Sequence, residues 1–380
     1  MLKKNKTILA TFATSIALSY SGAVIAQDEQ EIVTVVKVTG ENWFTRMDEG
    51  VNAYGEEHEN ITTRQVGPGR ADAAQQAAIV QDLISQGVDA LAIVPMDPST
   101  LEGVLRRAMG RGITVITHEA DNLQNTHLDL EAFDNAEFGA HFAEDIAECM
   151  GYEGKWTSFV GALGSLTHVQ WADGGAEYMS QFPDMELISP KNESFNDSNR
   201  AYDLAKQILR SHPDIKGFQG GSAIDVIGIG RAVEEAGLED ETCVYGLGLP
   251  RDTSAYLESG AVDGIAFWDP KDAGYVMNIL ANKVLNGEEV KTGDDLGVPG
   301  YGLGRCRCIE LERLSVLNDA WGWAALVCLR RSALQEVVPY ALCRTSSRRL
   351  ARRNEAFFGN ALLAQVLWRR SRAQRSKPNH

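Results

Sequence analysis

Between residues 32 and 118 four short runs of β-branched and aliphatic residues alternate with three amphipathic stretches, an order that leaves few folds open. Strand-like runs fall at 32–38, 61–66, 88–94 and 113–118. Between them, Met47, Val51 and Tyr54 recur at i, i+4 and i+7, while Ile79, Val80, Leu83 and Ile84 share one helical face that ends at Gly87. Ser99 with Glu102 predicts a capping box for a third helix running to Met109. Repeated β-α units of this length form a parallel sheet covered by helices on both faces.

The pattern then restarts. Helices are predicted at 135–150, 168–181, 198–211 and 224–236, and strands at 156–160, 185–189, 215–218 and 243–247. A short helix near 253–258, a strand at 264–268 and a helix at 272–285 follow, and Gly300-Tyr301 should open one more strand. The expected fold is therefore α/β, with two doubly wound, Rossmann-like lobes built on parallel sheets.

Both ends differ from this body. Lys3, Lys4 and Lys6 precede a mildly apolar stretch and the small-residue site Val24-Ile25-Ala26, the pattern of an export signal covering residues 1–26. Residues 305–380 hold fourteen Arg and one Lys against five acids, so residues 1–304 carry 21 bases and 47 acids. An acidic body excludes a nucleic-acid partner, which needs a basic face. The atypical basic tail, with only two glycines, reads as frameshifted or unrelated fused sequence, and a genuine basic amphipathic extension is the competing reading. Cys149 and Cys243 are the two cysteines of the body, and export permits a disulfide, but their approach does not follow from sequence.

No catalytic constellation is visible, so an enzyme is not expected. Gly228-Ile229-Gly230 lacks a third glycine at dinucleotide spacing and falls inside a predicted helix, where it reads as close packing. The body histidines show no metal-ligand spacing, and no cofactor motif appears. What recurs is polar or aromatic residues at strand ends: Lys37, Trp43 and Phe44, then Glu119 and Asp121, then Thr167, His168, Ser222, Trp268 and Asp269. In an open parallel sheet such ends border the ligand crevice. Charged groups can bond hydroxyls and aromatic faces can cover the C–H side of a sugar ring.

The run Gly40-Glu41-Asn42-Trp43-Phe44-Thr45-Arg46-Met47-Asp48-Glu49-Gly50, with Ala90-Leu91-Ala92-Ile93-Val94-Pro95 and residues 112–119, resembles periplasmic sugar-binding proteins of the ribose and autoinducer-2 receptor group. Phe267-Trp268-Asp269-Pro270 and Asp295-Leu296-Gly297-Val298-Pro299-Gly300-Tyr301 are similar to the autoinducer-2 and rhamnose branch. The resemblance implies a type I periplasmic binding fold, with lobes at 27–132 plus about 267–288 and 133–266 plus about 289–304, joined by three crossovers. It further implies a periplasmic monomer that closes on a small neutral sugar or furanose-like ligand, a pentose, deoxyhexose, tetritol or autoinducer-2. The ligand would pass to the permease of an ABC importer in the inner membrane.

By position, Lys37 matches a ligand-contacting lysine of that group and Glu119 a ligand-contacting aspartate, one methylene longer. Thr167 and His168 stand where the group carries Asp-Gln, and Gly221 and Ala223 where it carries contacting Pro and Ala. The effector domain of a transcription regulator shares the two-lobe plan. That reading needs a DNA-binding helix-turn-helix before the first strand, where this chain has the export pattern.

Overall fold

The computed structural model describes residues 29–299 and Tyr301, together with the backbone of strands at 327–330 and 338–339. The expected export segment and the rest of the basic tail lie outside the described residues. Five strands, β1 (Gln30–Val35), β2 (Ile61–Val66), β3 (Ala90–Ile93), β4 (Thr114–His118) and β5 (Leu128–Leu130), form a parallel sheet in the order β2-β1-β3-β4-β5. The helices α1 (Asn42–Glu57), α2 (Ala73–Gln86) and α3 (Pro98–Gly110) connect them. Val33, Val35, Leu91, Ile93 and Val115 bury one sheet face against Val80, Leu83, Ile84, Leu101 and Leu105 of α2 and α3.

The second unit runs α4 (Asn135–Met150), β6 (Gly154–Val160), α5 (Leu166–Met179), β7 (Met185–Leu187), β8 (Asn192–Glu193), α6 (Ser198–Ser211), β9 (Ile215–Gly220), α7 (Asp225–Ala236), β10 (Cys243–Leu247), α8 (Pro250–Ser259) and β11 (Gly264–Phe267). Its parallel strands lie in the order β11-β10-β9-β6-β7, with β8 beside β6. Two antiparallel strands extend the β11 edge: β12 (Val327–Arg330) pairs with β11, and β13 (Val338–Pro339) with β12. The chain then recrosses, because α9 (Pro270–Leu285) packs on α1 and the first sheet. Among the described residues no helix is long and apolar enough to cross a membrane.

Close helix pairs hold each unit together, and they require glycine. A Cβ at Gly50 of α1 would stand 1.9 Å from the Lys271 carbonyl of α9, and one at Gly139 of α4 would stand 2.0 Å from the Trp171 carbonyl of α5. The Gly228 expectation resolves the same way, since a Cβ there would meet the Ser198 carbonyl at 2.3 Å.

Several local expectations change. The first strand ends at Val35, and Val36 makes one last ladder bond, its N–H donating to the Val66 carbonyl at 2.9 Å, before the chain turns away at Lys37. The third helix is capped by Asp97 rather than Ser99, because Pro98 occupies the first helical position, where its fixed φ and missing N–H fit. Asp97 Oδ1 accepts from Ser99 N at 2.9 Å. Glu102 accepts instead from Gln124 N at 2.7 Å and from the Asn125 amide, which ties down the loop before β5. Tyr301 forms an antiparallel bridge with Val298, and the rest of the strand expected to begin at Gly300-Tyr301 lies outside the described residues.

Cys149, near the end of α4, and Cys243, at the start of β10, are bonded with a Cα separation of 6.0 Å. The bridge spans 94 residues of sequence. Replacing both cysteines by serine is expected to lower unfolding free energy by about 2–4 kcal/mol, the usual range for such a link. Chemical denaturation checks this, and an unchanged midpoint would show that the bridge adds nothing to stability.

Candidate functional site

Strand order reverses between β1 and β3 in the first sheet and between β6 and β9 in the second. Ligands of open parallel sheets bind beyond the carboxyl ends of strands at such switch points. The chain leaving β1 carries Lys37, and that leaving β4 carries Glu119. Across the cleft, the loop after β6 leads to Ser165, Thr167 and His168, and the loop after β9 holds Gly221, Ser222 and Ala223.

Buried Gln76 fixes the first switch point. Its amide donates to the Val36 carbonyl at 3.1 Å and the Val94 carbonyl at 2.8 Å, while its oxygen accepts from Met96 N at 2.8 Å. One side chain thereby pins the outgoing ends of β1 and β3.

The centre of the site is a buried ion pair. Lys37 Nζ donates to Glu119 Oε2 at 2.5 Å, with the two side chains 3% and 6% exposed. Thr167 Oγ1 of the opposite unit donates to the same carboxylate oxygen at 3.3 Å, and Lys37 Nζ reaches Ser165 Oγ at 3.4 Å. Burial pushes the Glu119 pKa up, but the charge and hydrogen bond of Lys37 outweigh it and hold it at about 2. Glu119 has φ of 62°, a left-handed conformation unfavourable for a residue with a side chain, and such strain collects at functional sites.

Two histidines flank the pair. His168 Nδ1 accepts from Gly161 N at 3.0 Å, and its ring stacks on Trp171. Burial, with Lys37 nearby, pushes its pKa down to about 3 against the opposing pull of Glu119, so the ring is neutral. His118 Nδ1 lies 2.7 Å from the Leu130 carbonyl, and its Nε2 lies 3.9 Å from Glu119 Oε1.

Aromatic side chains line the same space. Trp43 and Trp268 meet edge to face with centroids 4.7 Å apart, and Phe133 meets Trp268 at 5.1 Å. Both tryptophans, Phe44 and Ala223 belong to one apolar cluster running between the sheets. Trp268 Nε1 and Ser222 Oγ are buried with no hydrogen-bond partner among the described residues. At Gly221 a Cβ would crowd the Phe159 carbonyl at 2.7 Å, and its N–H, with that of Ser222, donates to Asp225 Oδ2 at 3.2 and 2.7 Å.

Two of the expected residues are engaged differently from the others. Asp269 caps α9 by accepting from Lys271 N, and both its oxygens bind Arg46, at 2.9 Å from Nε and 2.7 Å from Nη2. Exposed Asp121 stands at the rim and accepts from Gln170 of α5 at 3.1 Å.

Sequence reasoning missed the remaining rim contacts, because each pairs residues more than 150 apart in the chain. Asn42 donates to Asp252 at 2.6 Å, and Asn196 donates to Glu41 at 3.4 Å. The segment carrying Asn196 is backbone-strained, with Phe195 and Asn196 at φ of 54° and 50°.

Burial raises the Glu41 pKa from 4.5 to about 7, against the lowering contacts of Asn196 and Lys37. A raised folded-state pKa means that the stabilisation is complete below pH 4.5 and is lost as pH rises through 7. Each unit of such a shift corresponds to about 1.4 kcal/mol. Discounted for the partial exposure of Glu41, the expected loss is about 1–2 kcal/mol. Glu41→Gln should flatten this fall, as read by urea denaturation across that range, and an unaltered pH profile would remove Glu41 from the account.

Comparison with known proteins agrees with this geometry. The model of the periplasmic binding protein domain family matches residues 32–289. The ribose import binding protein of Bacillus subtilis is 25% identical over 58% of this chain and 70% of its own length. The D-allose-binding periplasmic protein of Escherichia coli is 23% identical over 71% of this chain and 88% of its own. A solute-binding protein of Clostridium phytofermentas, solved with bound L-rhamnose, superposes with a TM-score of 0.69 at 20% identity, covering 80% of this chain and 97% of that one. These relatives are named for binding, not for a reaction. With two parallel-sheet units facing each other across switch points and a family match over most of the described body, the chain belongs to the periplasmic binding protein family.

Proposed function

We propose that this protein is the solute-binding component of a sugar ABC importer. Its lobes close on a small neutral polyhydroxylated ligand, and the closed form presents that ligand to a permease in the inner membrane. The observation that carries this reading is the Lys37–Glu119 pair, a buried charge already neutralised within one lobe and touched by hydroxyls of the other.

A site built around a lone cation would select an anion. Here Lys37 is matched by Glu119, and Glu41, Asp225 and Asp252 add only acidic groups nearby, so an anionic ligand gains nothing. Hydroxyls suit the arrangement because charged groups make strong hydrogen bonds with them. Trp43, Phe44 and Trp268 supply the apolar faces that cover the C–H side of a ring. The names of the ribose, D-allose and L-rhamnose relatives support the same ligand class.

In this reading Lys37, Glu119, Thr167, His168 and Ser222 bond hydroxyls, and Gly221 and Ala223 line the wall. Asp121 works from the rim, and Asp269 works through Arg46, whose guanidinium it orients. Pentoses, deoxyhexoses, tetritols and autoinducer-2 are the candidate ligands. Ligand shifts the population toward the closed form to the extent that it binds that form better. The protein works in the periplasm, exported by its N-terminal segment.

Tryptophan fluorescence should change when a member of a sugar and polyol panel is added, because Trp43 and Trp268 line the cleft. Folded protein giving neither a fluorescence response nor a thermal shift across the panel would defeat the sugar reading. Glu119→Ala is expected to weaken binding of the best ligand by about 1–3 kcal/mol, the range for losing hydrogen bonds to a charged group. Titration calorimetry measures it, and an unchanged affinity would take Glu119 out of the site.

A further inference from the structure

His118 is 1% exposed, and the function above does not use it. Its Nδ1 lies 2.7 Å from the Leu130 carbonyl oxygen, which can only accept, so Nδ1 carries the proton. In the neutral ring Nε2 is then a lone pair. That nitrogen is buried without a hydrogen-bond partner among the described residues and faces Glu119 Oε1 at 3.9 Å. The hydrogen bonds of Glu119, from Lys37 and Thr167, both fall on Oε2.

With the ring neutral, two acceptors stand side by side with no proton between them. A ligand carboxylate or carbonyl would add a third acceptor and raise the electrostatic cost. An ammonium group could donate to both, but it would sit beside Lys37, whose own charge already matches Glu119. Hydroxyls on adjacent carbons avoid both penalties. Each can reach an acceptor at about 2.8 Å, a span that suits acceptors 3.9 Å apart. Trp268 Nε1, whose ring lies edge-on to His118 with centroids 6.1 Å apart, offers an unpartnered donor beside the same place.

We infer that His118 Nε2 and Glu119 Oε1 form a two-acceptor fork that takes both hydroxyl hydrogens of a vicinal diol, which makes His118 a specificity-determining residue. The inference rests on the sugar-binding reading and narrows it: ligands must present two free neighbouring hydroxyls, and deoxygenation or fluorination at either position removes the needed donor.

The test is calorimetry on the full chain with erythritol, D-ribose, xylitol and L-rhamnose, followed by single deoxy and deoxyfluoro analogues of whichever binds best. For one adjacent pair of positions, loss of either hydroxyl should weaken wild-type binding by about 10- to 100-fold. In His118→Phe one of those two analogues should bind as well as the parent compound, while the other remains discriminated. His118→Gln, which keeps an acceptor, should retain the discrimination at both positions, and thermal midpoints verify that the variants fold.

Equal weakening for every analogue in His118→Phe would overturn the fork, as would a wild type indifferent to every adjacent pair. Failure of all polyols to bind folded wild-type protein is a different result, since it would overturn the sugar reading itself.

Discussion

The cleft depends on taking two opposite charges out of water together. An unpaired buried ion costs several kcal/mol even after relaxation, so neither Lys37 nor Glu119 could occupy its position without the other. The backbone accepts strain to achieve the pairing, as the left-handed conformation of Glu119 shows. The second lobe brings Ser165 and Thr167 to the pair rather than a further charge. Closing the lobes therefore buries the pair without changing its charge balance, and the contact between them is a matter of hydroxyl geometry.

The scaffold meets that demand with few parts. Gln76 joins the ends of β1 and β3, so Lys37 leaves its strand from a fixed point. The Gly50 and Gly139 contacts bring α1 against α9 and α4 against α5 at backbone distance, which sets the helices behind each half of the cleft. Phe133 and Trp268 sit in two of the segments that cross between the sheets, and their rings meet at 5.1 Å. The crossings thus form part of the apolar wall of the site.

Much of the fold was legible in periodicity alone. The limits of β2, α4, α6 and β10 follow from the pattern of apolar residues, because in those elements local preference and burial agree. The three-residue strand β5 carries too short a pattern to be distinguished from a loop. The cap of α3 moved to Asp97 because a proline at the first helical position outweighed the Ser99 and Glu102 spacing. Of the site, strand-end position pointed to Lys37, Glu119, Thr167 and His168, which the structure brings into contact or close proximity. Pairings across the cleft, such as Asn42 with Asp252 and Asn196 with Glu41, leave no trace in local spacing. Gln76 was hidden for a related reason, since a polar residue on an apolar helical face looks like an interruption until its three partners are known.

Charge also limits how such a cleft can discriminate. Burial raises Glu41 to about 7 and Asp225 to about 6, so the carboxyl groups around the ion pair already resist ionisation. Another negative charge would be repelled, and another positive one would compete with Lys37 for Glu119. Selectivity among neutral ligands then falls to hydrogen-bond placement. A site built to bond a hydroxyl strongly rejects the analogue that lacks it, because its own buried polar atoms are left unpaired. His118 Nε2, Trp268 Nε1 and Ser222 Oγ are such atoms, all buried and none with a hydrogen-bond partner among the described residues. Their positions, more than the ion pair they surround, determine which arrangement of hydroxyls the closed form can hold.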